Sequence, residues 1–243
     1  MSNRWTERGS ILIDQAFWLR VLSRWSLAVA IATMALPVLI FVGIGQATSD
    51  MSLGSSYVEL LQAVRTPSYF RMTWMLDAII WLLIGVCLVL WAIVLIHRTP
   101  RLALIAAVCG LGQLFGASAG FKRVNGTADF AQQLSQAGES SQQYLLRSYG
   151  DLIRIVNAEY HFAVLLLGVG YVAIACAVWS RQGVPRWLGL WIAVPGVLAL
   201  VQFLIVALGM PFVAALNYID VVVGNVALNI AIAWAFWRPK TQI

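Results

Sequence analysis

Hydrophobic residues in this chain arrive in long blocks, not in the every-second pattern of a strand or the one-sided stripe of a water-soluble helix. Six blocks lie near 25–46, 73–96, 102–120, 160–180, 187–209 and 214–237. Each approaches the ~20 apolar residues that carry a helix across a bilayer. In hydrocarbon every backbone polar group must find a partner, and a helix supplies those partners from within itself. The pattern therefore predicts an all-α polytopic membrane protein, a bundle of six transmembrane helices. The blocks consume over half of the chain, so residues 1–243 read as a single integral membrane domain.

The stretches between the blocks are patterned too. In residues 1–24, Ile11, Leu12, Phe17, Trp18 and Leu19 alternate with Asp14, Arg20 and Arg24 at roughly helical spacing. This predicts an amphipathic helix on the membrane surface leading into the first span, and its basic region is too long for a cleavable signal. SSYVELLQAVRTPSYF reads as a second short amphipathic helix, stopped before Pro67. In the longest polar stretch, FKRVNGTADFAQQLSQAGESSQ reads as a loop. Leu145, Leu146, Tyr149, Leu152, Ile153 and Val156 then recur as an amphipathic helix feeding the fourth span. Pro37 predicts a kink in the first span. Gly112, Gly116 and Gly120 stand four apart on one face of the third, a seam where another helix can approach closely.

Composition agrees with the blocks. Hydrophobic residues make up 61% and charged residues 11%, against about 25% charged in a soluble domain. The net charge of +6 is not gathered on one soluble face, which argues against nucleic acid. Basic residues sit at block ends instead. With the N-terminus in the cytoplasm, Arg4, Arg8, Arg20, Arg24, Arg98, Arg101, Arg181, Arg186, Arg238 and Lys240 share one side. Arg65, Arg71, Lys122, Arg123, Arg147 and Arg154 share the other, in the two long loops whose charges count least. Both termini are therefore expected in the cytoplasm. Cys87, Cys109 and Cys176 all fall within spans, without disulfide or zinc-motif spacing, and read as packing residues.

Two hairpins look alike. HRTPRLALIAAVCGLGQLF and SRQGVPRWLGLWIAVPGVLALVQF each run from an Arg through Pro-Arg and a Leu-x-Leu, one residue later in the second, to an apolar stretch, a Gly and a Gln. Copies near 55–120 and 141–209 would run in the same direction, a parallel repeat about the membrane normal. Counted back from the turns, Asp77 falls within one residue of the register of His161.

The second hairpin resembles a family of uncharacterised bacterial six-helix membrane proteins, a domain of unknown function. His161, Gly168, Arg181, Pro185, Arg186, Leu188, Gly189 and Gly196 carry the resemblance. It implies a six-span layout and a bacterial cytoplasmic (inner) membrane. It implies no reaction.

The candidate chemistry lies in polar groups inside the spans. Asp77, Gln113, Glu159, His161, Gln202, Asn217 and Asp220 all fall in the outer half by helical rise. Such groups normally face a bundle interior. They are expected to line one outward-facing cavity, with Asp77, His161 and Asp220 at its centre. Three functions fit: binding of a lipid or small amphipathic molecule, an accessory subunit docked to a membrane-protein partner, or a metal enzyme using the acids and His161. HExxH, Gly-x-Ser-x-Gly and aspartate-rich phosphate motifs are absent, His97 and His161 stand at opposite membrane faces, and no cofactor is specified.

Overall fold

A computed structural model describes residues 3–47, 67–180, 184–209 and 224–237. Among the described residues the architecture is helical throughout. In chain order the helices are α1 (Asn3–Ala47), α2 (Pro67–Leu95), α3 (Pro100–Gly112), α4 (Leu114–Gln136), α5 (Glu139–Trp179), α6 (Arg186–Ala207) and α7 (Ala227–Trp237).

Five stretches are long and apolar enough to cross a membrane: Gln15–Leu36, Pro67–Leu95, Pro100–Gln136, Ser141–Trp179 and Arg186–Ala207. By length and composition this is a multi-pass membrane protein. The expected count of six is corrected to five among the described residues. The last block is described only over Gly224–Trp237. Those residues rise about 21 Å, short of the ~30 Å hydrocarbon core.

The helix α1 runs unbroken from the stretch expected at the membrane surface into the first span and on through Pro37. Leu22, Ser26, Val29, Thr33 and Leu36 are all buried, at alternating spacings of three and four. That stripe begins inside the segment whose charges suggested a surface helix. Ser23 Oγ donates to Ala233 O at 3.0 Å and Trp25 Nε1 donates to Leu83 O at 3.0 Å, joining α1 to α7 and α2.

Two short turns make the hairpins. In the first, the N–H groups of Arg98 and Thr99 both donate to Leu95 O, closing α2. Pro100 then opens α3, where its missing N–H costs nothing. In the second, Leu188 N–H donates to Pro185 O at the start of α6. Each hairpin crosses at a glycine pair. A Cβ on Gly85 would lie 2.7 Å from Gly110 O, and one on Gly110 would lie 2.7 Å from Gly85 O. A Cβ on Gly168 would lie 2.9 Å from Gly196 O, and the reverse distance is 3.2 Å. Backbones this close leave no room for a side chain.

The third span is a two-part rod. Gln113 N–H donates to Gly110 O at 3.2 Å, a tightened turn, and Ala117 N–H donates to Gln113 O at 3.1 Å as the helix resumes. It resumes further than expected. The loop expected after residue 120 is helical to Gln136, because Gly120, Val124, Thr127 and Ala131 are buried at helical spacing within the polar sequence. Ala137 and Gly138 turn the chain, and α5 then runs for 41 residues without a break into the fourth span, as expected.

The predicted glycine seam is a close contact, divided between two partners. Cβ atoms on Gly116 and Gly120 would meet Trp81 and Ala78 of α2 at 2.5 and 2.9 Å. One on Gly112 would meet Leu166 of α5 at 2.2 Å. The third span thus lies between α2 and α5, antiparallel to both. A small second core of Phe70, Ala131, Tyr149 and Ile153 joins the same helices at the end away from the short turns.

Candidate functional site

The polar groups of interest sit where α2, α4 and α5 meet. Asp77 is 18 residues above Leu95, about 27 Å along α2. Glu159 and Tyr160 stand about 30 and 29 Å above Trp179 on α5. These distances match the ~30 Å hydrocarbon thickness, so the junction stands about one membrane thickness from the short turns.

Asp77 accepts a hydrogen bond from the Tyr160 hydroxyl. Trp81, one turn further along α2, and Arg123 of α4 lie near enough to act on it as well. The Arg123 guanidinium lies 4.1 Å from the Trp74 ring centroid and 6.0 Å from that of Tyr160. Trp81 and Tyr160 rings are 5.9 Å apart. A cation held over aromatic faces beside a carboxylate is favourable where water is scarce. Beside this cluster, Lys122 and Glu159 form an ion pair. Consecutive residues on α4, Lys122 and Arg123, thus meet consecutive residues on α5, Glu159 and Tyr160.

A groove of about 630 Å³ opens along one face of α4. Leu82, Leu114, Ala117, Phe121 and Leu152 form its apolar walls. Ser118, Lys122 and Asn125 add polar groups, two of them toward the boundary end. From Leu114 to Asn125 the groove follows α4 for about 17 Å.

The described candidates fall into separate surroundings. Asp77 and Glu159 belong to the junction just described. Gln113 is fully buried; its Nε2 donates to Cys109 O at 2.9 Å and Ala163 O at 3.4 Å, tying the third span to α5. Among the described residues its Oε1 has no hydrogen-bond partner, and neither does the buried Nε2 of Gln202 on α6. His161 is half-buried on α5. None of these five lines the groove. Asn217 and Asp220 lie outside the described residues. Among the described residues no three His, Cys, Asp or Glu side chains come together as a metal site. Cys87 and Cys109 are buried, as expected of packing residues, while Cys176 is exposed.

The family model for a domain of unknown function, DUF4386, matches residues 33–237. This chain belongs to that family. No curated protein matches it, and no solved structure does. The DUF4386 match takes in both hairpins, the aromatic cluster and the groove, and its description names no activity.

Sequence reasoning missed Trp74, Trp81, Lys122, Arg123 and Tyr160. One signal was present. Asp77 stands 21 residues before Arg98, and Tyr160 stands 21 before Arg181. Counting from the arginine of each turn, rather than from the proline, leads from Asp77 to its partner. Arg123 follows Gly116 and Gly120 at helical spacing, on the face that meets α2.

Proposed function

We propose that this chain holds the apolar part of a lipid or small amphipathic molecule in the groove along α4, in the membrane half away from the short turns. The groove itself carries the reading. It is apolar along its length, polar toward the membrane boundary, and within the 300–1,000 Å³ usual for small-molecule sites. That is the polarity profile of a molecule with a tail and a head. The ten-to-six split of basic residues supports placing the short turns on the cytoplasmic side of a bacterial inner membrane. Gly224–Trp237 completes a sixth span over 214–237 in this reading. The shared glycine crossings support a duplicated hairpin, since Gly85 and Gly168 each stand 13 residues before the turn arginine.

An accessory-subunit role is the second reading. Asp77 and Glu159 are each bound by the protein's own side chains, as groups with a structural task would be.

Mass spectrometry of the protein purified in mild detergent tests the first reading. The wild type should retain lipid. Ser118→Trp, which fills the groove from a partly exposed position, should lose that lipid while eluting and melting as a folded protein. Equal retention by both would overturn the reading.

A further inference from the structure

At the groove's boundary end Lys122 is paired with Glu159, which stands outside the lining, and the inference drawn from this pair rests on the groove reading above. Lys122 lines the groove, and its Nζ binds Oε1 of Glu159. The second oxygen, Oε2, is buried and has no hydrogen-bond partner among the described residues. The lysine side chain is 47% exposed and the glutamate 21%, so the lysine is the partner able to turn away. If Lys122 moved to a lipid phosphate with nothing in its place, Glu159 would remain as an unpaired charge in low-dielectric surroundings. An anionic headgroup would have to share Lys122 with that carboxylate and be repelled by it.

A zwitterion escapes this. Its ammonium replaces the lysine as N–H donor to Oε1 of Glu159, and its phosphate takes the released Lys122. One ion pair becomes two, and no charge is left alone. The exposed Asn125 amide, on the same face of α4, offers a further donor to the phosphate. A quaternary ammonium carries no N–H and leaves Oε1 without the donor that Lys122 supplied. We infer that the groove recognises a phospholipid whose zwitterionic headgroup ends in a primary ammonium, with Lys122 on the phosphate and Glu159 on the ammonium.

Competition tests this. The full chain is equilibrated with equal amounts of phosphatidylethanolamine, phosphatidylcholine and phosphatidylglycerol of identical acyl chains. It is then repurified, and retained lipid is quantified by mass spectrometry. The wild type should retain phosphatidylethanolamine over each of the others by about tenfold, equivalent to ~1.4 kcal/mol. Glu159→Gln should abolish that preference and shift retention toward phosphatidylglycerol, because Lys122 is then unopposed. Retention in the input ratio, an excess of phosphatidylglycerol on the wild type, or an unchanged preference in Glu159→Gln overturns the inference. The wild-type ratio decides even if the variant fails to fold. If no lipid stays, or Ser118→Trp fails to remove it, the groove reading falls as well. Lipid removed by Ser118→Trp yet retained without headgroup preference sinks the headgroup assignment alone.

Discussion

Tyr160 gives Asp77 a hydroxyl donor, and deleting that one oxygen isolates its contribution. Tyr160→Phe keeps the ring beside Trp81 and Arg123 but withdraws a hydrogen bond from a part-buried carboxylate. Losing a partner of this kind costs about 1–3 kcal/mol. Thermal unfolding in detergent should show a lower Tm for Tyr160→Phe; an unchanged Tm would mean that Trp81 and Arg123 suffice. Gly116 tests the same interface by addition. A Cβ there would stand 2.5 Å from the Trp81 ring, so Gly116→Leu should destabilise by about 1–3 kcal/mol or more. Stability equal to the wild type in the same melt would place that face of the third span away from α2. At this scale the sequence announced which groups needed partners and left the partners unnamed. Asp77 was conspicuous because a carboxylate inside an apolar run is costly. Arg123 was not, because it stood in a polar stretch where a cation costs little.

The hairpins are held at their crossings by what is missing from glycine. Gly85→Ala would push a methyl against the Gly110 carbonyl, which is backbone and cannot turn aside. Gly168→Ala would meet Leu200 and the Gly196 carbonyl. Both should lower the detergent Tm. Gly150→Ala on α5 meets nothing within 4 Å, and should stabilise by ~0.5–1 kcal/mol through helix propensity alone. If Gly85→Ala and Gly150→Ala behaved alike, the crossing would not be tight. The elements were largely legible where apolar blocks were long, since block length reports membrane spans directly. The stretch after Gly120 was not. Its buried positions are small or polar, Val124, Thr127 and Ala131, and Gln and Ser surround them, so helical spacing was present without the hydrophobic contrast that reveals it. The glycine seam was read correctly as a close contact, but spacing alone could not say that Gly112 turns to α5 while Gly116 and Gly120 face α2.

In the proposed arrangement ten basic residues lie on the side of the short turns and six on the side of the long polar stretches. Reporter fusions at Ile243 and at Gly138 should therefore report opposite sides, the first cytoplasmic. The same side for both would remove the sixth span. One dimension of the assembly has a mechanical result. The 41 residues of α5 measure about 60 Å, twice the hydrocarbon thickness, and Arg147, Asp151 and Arg154 occupy the half beyond Glu159. That half is not a free arm: Tyr149 and Ile153 pack with Phe70 and Ala131, and the Thr127 and Tyr149 hydroxyls are hydrogen-bonded, so α4 braces it. Tilting α5 therefore carries α4 and the start of α2 with it.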